Sequence, residues 1–221
     1  MDGARTAYPS FGSELAQADP PPRRTRVDGQ RSRKTILAAA TDLATVEGLE
    51  GLSIGRLAAH IGMSKSGLYA HFRSKQELQL ATIARANEVF EAEVIHGARQ
   101  EMDALARLSA LCENFLSHVE RRVFPGGCFF ASVAAEFDTH AGPVRDRITQ
   151  VSLEWIELLE RAVTEAQDEG FLKPDLEPAQ LAFEMNAVLH LANSMFVLLD
   201  SAGVIERARR CIASQLAAAR I

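Results

Sequence analysis

Apolar residues return every three or four positions along most of this chain, and Gly, Pro and Ser mark where one run ends and the next begins. Ile36, Leu37, Ala40, Leu43 and Ala44 form the first such stripe, which Gly48 closes. Ser53 stands where an N-cap belongs, ahead of a short second helix with Ile54, Leu57, Ala58 and Ile61 inward and Gly62 as its break. Ser64 caps a third short helix carrying Leu68 and Phe72. The stretch Ser74-Lys75-Gln76-Glu77 has the S-x-x-E form of a capping box and opens a long fourth helix reaching about Ala98. Further helices are expected over 102–121, 127–138, 143–169, 178–200 and 204–220. Pro143 and Pro178 suit first-turn positions, and Gly170 suits a stop. No run alternates as a strand would, so the pattern predicts an all-α fold.

The expected helix 178–200 is apolar nearly all round. One face carries Leu181, Met185, Val188, Leu189, Ala192, Phe196 and Leu199, while the other carries Phe183, Ala187, Leu191, Val197 and Leu198. Such a helix needs cover on both sides, from a second subunit or as the central core helix of a monomer. The last helix is amphipathic, with Val204, Ala208, Ile212 and Leu216 opposite Arg207, Arg209 and Arg210. Paired across a two-fold axis, helices 178–200 and 204–220 would make a four-helix homodimer interface.

Charge divides the chain. The net charge is −5, yet residues 23–80 carry ten Lys/Arg against five Asp/Glu, leaving 14 basic and 24 acidic groups elsewhere. One part is therefore suited to a polyanion while the rest is not, although a solvated basic face would give the same count. Residues 1–28 combine Gly, Ser and Ala with Pro20-Pro21-Pro22 and Arg23-Arg24-Thr25-Arg26, and are expected to be a disordered arm whose basic end either follows phosphates or is simply solvated. Cys112, Cys128 and Cys211 are few and far apart, which indicates reduced thiols in a cytoplasmic protein rather than a disulfide or zinc framework. The stretch 181–199 is interrupted by Glu184, Asn186, His190, Asn193 and Ser194, poor material for a membrane span.

The expected short helices of residues 52–78, joined by a glycine-containing turn, are a helix-turn-helix arrangement. Its second helix would offer Lys65 and Ser66 to base edges or phosphates. Leu68 and Phe72 anchor that helix inward and turn Tyr69 and His71 toward the sugar-phosphate backbone. Backbone N–H groups at the helix starts near Ser53 and Ser74 add anion sites. Lys75 in the first turn of the fourth helix is unfavourable for the helix dipole unless an anion lies close, and a phosphate would serve.

The run Gly48-Leu49-Glu50-Gly51-Leu52-Ser53-Ile54, then Leu57-Ala58, Ile61-Gly62-Met63-Ser64 and Leu68-Tyr69-x-His71-Phe72-x-x-Lys75-x-x-Leu78, resembles the DNA-binding domain of TetR-family regulators over roughly residues 31–80. The resemblance implies that Ser64, Lys65, Ser66 and Tyr69 lie on the recognition helix while His71 and Lys75 touch phosphates. Gly67 departs from the bulkier residues often found there. The implied organisation is a helix-turn-helix domain at 29–80 and a larger ligand-binding and dimerisation domain at 81–221. The segment Phe124-Pro125-Gly126-Gly127-Cys128-Phe129-Phe130, with Glu136-Phe137 after it, resembles a helix start common in one branch of the family.

An effector pocket should be apolar with a few polar groups. Candidates are Phe115, Phe129, Phe137, Trp155, Met185 and Phe196, with Asn186, His190 or Cys112 as polar handles; each also suits plain core packing. Competing chemistry is thin. Glu136 and His140 at i, i+4 lack an evident third metal ligand, and Cys128 behind two glycines could be a thiol activated at a helix start. No Walker loop, G-x-G-x-x-G, H-E-x-x-H or G-x-S-x-G occurs, so no enzyme, cofactor or metal is nominated. The expected function is a dimeric repressor that grips a palindromic operator, with recognition helices about 34–36 Å apart, and lets go when a small apolar or amphipathic ligand tilts helix 74–98. An α-helical enzyme and an architectural, ligand-independent DNA binder are the alternatives.

Overall fold

Residues 26–221 are described by the structure, a computed structural model. The expected arm therefore lies outside the described residues up to position 25, while residues 26–28 already belong to the first helix.

Among the described residues ten α-helices and one π-helical turn follow one another: α1 (Arg26–Glu47), α2 (Ile54–His60), α3 (Lys65–Tyr69), α4 (Lys75–Phe90), the π turn (Glu91–Ile95), α5 (His96–Ala98), α6 (Ala104–Glu120), α7 (Phe129–Phe137), α8 (Pro143–Asp168), α9 (Pro178–Leu199) and α10 (Ala202–Ala219). Among the described residues there is no strand, only an isolated bridge between Leu172 and Arg220.

The serines act as the sequence indicates. Ser53, Ser64 and Ser74 accept from the backbone N–H of Arg56, Gly67 and Glu77, each bond satisfying a donor that the first helical turn leaves free. Such caps contribute about 1 kcal/mol each. The capping box has one variation: Glu77 reaches back to the N–H of Arg73, one residue before the cap, at 2.9 Å. Gly48 ends α1 with φ +88°, a left-handed position that favours glycine.

The stretch expected as one helix over 74–98 instead changes pitch at Glu91, just after Phe90. Two contacts from α6 and its end hold the widened turn: Asn114 Nδ2 donates to the Val94 carbonyl at 2.9 Å, and Arg121 pairs with Glu93 at 2.6 Å. These are long-range contacts, invisible to helical periodicity. A π turn inside a helix often marks a functional site.

In the larger half α6, α8 and α9 pack against one another, α10 covers α9 and α6, and α7 bridges α1, α8 and α9. Helix α4 leans on α1 and α8, joining the two halves. Leu181, Met185, Leu189, Ala192 and Phe196 turn the inner face of α9 into the core. Its other face is open: Phe183, Leu191 and Leu198 are 65%, 63% and 75% exposed, and Leu199, expected inward, is exposed as well. Among the described residues α9 alone is long and apolar enough to cross a membrane, but 39% of its apolar window is buried in this core.

Candidate functional site

Helices α2 and α3 are short, and their only buried side chains are Ile54, Leu57, Ala58 and Leu68. Everything else on α3 faces out. Ser64, Lys65 and Ser66 are exposed, and Tyr69 is 54% exposed although it follows fully buried Leu68. The Ser64 and Ser66 hydroxyls sit 3.2 Å apart. Gly55 on α2 leaves room for the Lys65 stem, since a Cβ there would come within 3.3 Å of Lys65 Cε. Gly67 is held close over its own cap, where an added Cβ would meet Ser64 Oγ at 3.1 Å. His71, half-buried, gives its backbone carbonyl to Arg33 Nη1 at 2.6 Å, and the same guanidinium stacks 4.3 Å from the Phe72 ring centroid. Arg33 thereby fastens α1 to the turn after α3, a role that local pattern reading missed because 38 positions separate the partners.

Lys75 has its anion within the chain. Its ammonium contacts Glu50 Oε1 at 3.0 Å. The Glu50 carboxyl is held below the usual range first by this hydrogen bond, against the opposing effect of desolvation. A phosphate reaching Lys75 would compete with an exposed carboxylate, which is a weak rival in water.

A set of bonds from the larger half holds the loop after α1. Glu136 of α7 accepts from the N–H groups of Leu49 and Glu50 at 3.1 and 2.9 Å, and Gln79 of α4 donates to the Leu49 carbonyl at 2.8 Å. Glu136 and His140, weighed above as metal ligands, are used otherwise: the carboxylate is taken up by backbone, and His140 Nδ1 lies 2.9 Å from the Glu136 carbonyl. The glycines before α7 have separate reasons. A Cβ on Gly126 would fall 2.0 Å from the Thr45 carbonyl oxygen of α1, and Gly127 (φ +85°) lies under Asn193 of α9. Asn193 Oδ1 then accepts from Cys128 N–H at 2.7 Å, filling the cap position of α7 that no side chain of its own fills.

Between α4, α6, α7, α8 and α9 lies a cavity of about 80 Å³. Four predicted pocket residues meet there: Phe115, Trp155, Asn186 and His190. Phe90, Phe130, Val151, Ser152 and Ile156 join them, as does Cys128, none of which was expected in that role. The remaining candidates do not line it. Phe129 turns to Phe124 and Phe130, Phe137 to His140, and Met185 is fully buried in the core. Phe196 lies under the Arg122 guanidinium, and Cys112 is buried elsewhere. Neither thiol is activated: burial pushes Cys112 up to about 12 and Cys128 up to about 11, the latter despite the N–H groups of Ala131 and Phe130. The activated thiol at the α7 start is thus corrected by its burial.

Beside the open face of α9, a groove of about 290 Å³ runs along α10, lined by Leu191, Met195, Leu199, Val204 and Cys211 among others. Arg209 is turned away into ion pairs with Glu113, Glu120 and Glu206.

A capped helix-turn-helix with an outward polar row, tied by α4 and α7 to a larger helical half that encloses an apolar cavity, is the build of a one-component DNA-binding regulator. Comparison with known proteins gives the family. Residues 36–82 match the model for bacterial regulatory proteins of the tetR family, and residues 104–212 match the tetracyclin repressor-like C-terminal domain. The chain belongs to the TetR family of transcriptional regulators, whose members are DNA-binding transcription factors. A TetR transcriptional regulator from Chloroflexus aurantiacus superposes with a TM-score of 0.80 at 28% identity, covering 86% of this chain and 96% of that one. AibR, solved with isovaleryl coenzyme A and operator DNA, gives 0.66 at 23% identity over 82% and 96%. The HTH-type transcriptional activator FasR of Mycolicibacterium smegmatis is 32% identical over 98 residues, 44% of this chain and 45% of FasR. The chain spans about half the length of the curated relatives it matches.

Proposed function

We propose that this regulator is a cytoplasmic repressor that binds a palindromic operator as a homodimer and is released by a small apolar or amphipathic effector. The observation that carries the reading is the exposed row Ser64, Lys65, Ser66 and Tyr69 at the start and along the outer face of α3, whose one buried side chain is Leu68. Those four side chains read or contact bases, while His71, Lys75 and the N–H groups near Ser53 hold phosphates. The open faces of α9 and α10 close on a second copy, which covers Phe183, Leu191 and Leu198. The effector enters the cavity beside Trp155. Phe90, the last residue of α4 before the π turn, and Phe130, in the first turn of the helix bearing Glu136, line that cavity, so a ligand that displaces them shifts both connections to the DNA-binding half. AibR, with the same fold, was solved with both a ligand and operator DNA, which supports the pairing of the two sites.

Selection of binding sites from random DNA at fixed salt tests this. A palindrome whose half-sites lie one helical turn apart, or a multiple of it, is the expected result. Salt-sensitive binding without a motif, or no binding by folded protein, overturns the reading. The likeness to FasR favours an activator as second reading; a reporter carrying the selected site separates the two, falling with the repressor and rising with the activator.

A further inference from the structure

The cavity's walls narrow the kind of molecule that fits it. Phe115 lies nearly parallel to both Trp155 and His190, at interplanar angles of 25° and 19° and centroid distances of 6.0 and 6.4 Å. Phe90 meets Trp155 and Phe130 edge-on at 87° and 84°. Flat faces and edges of this kind suit a planar ring. No Asp, Glu, Lys or Arg stands among the lining residues. A carboxylate or ammonium entering here would leave its water shell and find no counter-charge.

The polar groups are specific. Trp155 Nε1–H can only donate, so the Asn186 atom 3.0 Å from it is the amide oxygen. That fixes the amide the other way round: the Asn186 NH₂ is turned from Trp155 and has no acceptor among the described residues. Ser152 already donates to the Ile148 carbonyl at 2.9 Å. Burial holds the His190 ring below the ordinary histidine range. The half-buried Asn186 NH₂, on the cavity wall, is thus a donor of fixed direction open to an acceptor. Size sets the last limit, since about 80 Å³ is less than the roughly 150 Å³ of an engineered apolar cavity that admits benzene. A single ring already requires Phe90 or Phe130 to give way.

We infer that the cavity takes an uncharged single-ring aromatic carbonyl compound, its ring among Phe115, Phe130 and Trp155 and its carbonyl oxygen accepting from the Asn186 amide. This rests on the cavity being the effector site. Trp155 is the only tryptophan, so its emission reports occupancy directly. The full chain is titrated with acetophenone, benzoate and ethylbenzene, followed by Trp155 emission and by calorimetry. Acetophenone is expected to bind saturably and about tenfold or more tighter than either of the others, because ethylbenzene leaves the amide unpaired and benzoate brings an uncompensated charge. In Asn186→Leu, checked for native helicity, acetophenone should fall to the level of ethylbenzene. Benzoate binding as tightly as acetophenone, or a preference that survives in Asn186→Leu, overturns the carbonyl inference while leaving an effector site in place. If none of the three probes binds the unmutated chain by either readout, the inference fails, while the effector-site reading stands or falls separately on the operator affinity of a cavity-filling variant. The comparison of the three probes on the unmutated chain stands even if the variant does not fold.

Discussion

The helix-turn-helix end presents its chemistry outward on helices of seven and five residues, each started by its own serine cap, whereas the cavity gathers side chains from five helices between Phe90 and His190. The first surface is made by short-range chemistry. A cap reaches three residues, a turn glycine acts where it stands, and buried Leu68 sets which way Tyr69 points. The second is made by packing, where one step along a helix decides whether a ring enters the cavity. Phe129 and Phe130 are neighbours and both buried, yet only Phe130 lines it. Evolution can therefore alter the exposed row one residue at a time, while a changed cavity pulls on α4 and α7 and, through them, on the loop that Glu136 holds.

That contrast can be broken at the joint. Gly126→Val should have the largest effect, since its side chain would run into the α1 backbone at Thr45; a loss of about 3 kcal/mol is expected in urea unfolding. The larger half can be tested apart through His118, fully buried against Phe90 and Phe124 with neither ring nitrogen hydrogen-bonded. Burial, only partly offset by Glu93, pushes it down to about 4. The unfolded chain binds that proton near the ordinary 6.5, so between pH 6.5 and 4 the unfolded state holds more protons and stability falls as the pH drops. The total is roughly 3 kcal/mol, and His118→Leu should remove that part of the slope. Recognition by the exposed end should not respond to His118→Leu at neutral pH.

Glu136→Ala exposes two backbone N–H groups and should cost about 2 kcal/mol, with more effect on operator affinity than on the effector site. The smallest change is expected from Lys75→Ala. It gives up an exposed ion pair of little worth, weakens binding on all DNA sequences alike, and lowers the salt slope by about 1. A change in sequence preference there would move Lys75 from phosphate to base contact.

The same contrast explains what could be read from the sequence. Helix starts at Ser53, Ser64, Ser74, Pro143 and Pro178 and stops at Gly48 and Gly170 were legible because each is a local signal. Of the cavity, Phe115, Trp155, Asn186 and His190 were legible as large or polar residues on apolar helices. Phe90 was not, because α4 read as a connector, and the π turn that follows it depends on Asn114 and Arg121, 20 and 28 positions from their partners. The clamp by Glu136 spans 86 positions and looked like half a metal site. Its partners are backbone N–H groups, which carry no residue-type signature at all.

If the packed half governs the exposed one, filling the cavity without a ligand should weaken operator binding. Operator affinity should be measured for Ser152→Phe, a variant whose ring would occupy the space beside Trp155. A folded dimer is expected, its affinity for the selected operator lower by about 5- to 150-fold, the span of an ordinary allosteric coupling. A folded variant with a filled cavity and unchanged operator affinity would contradict it.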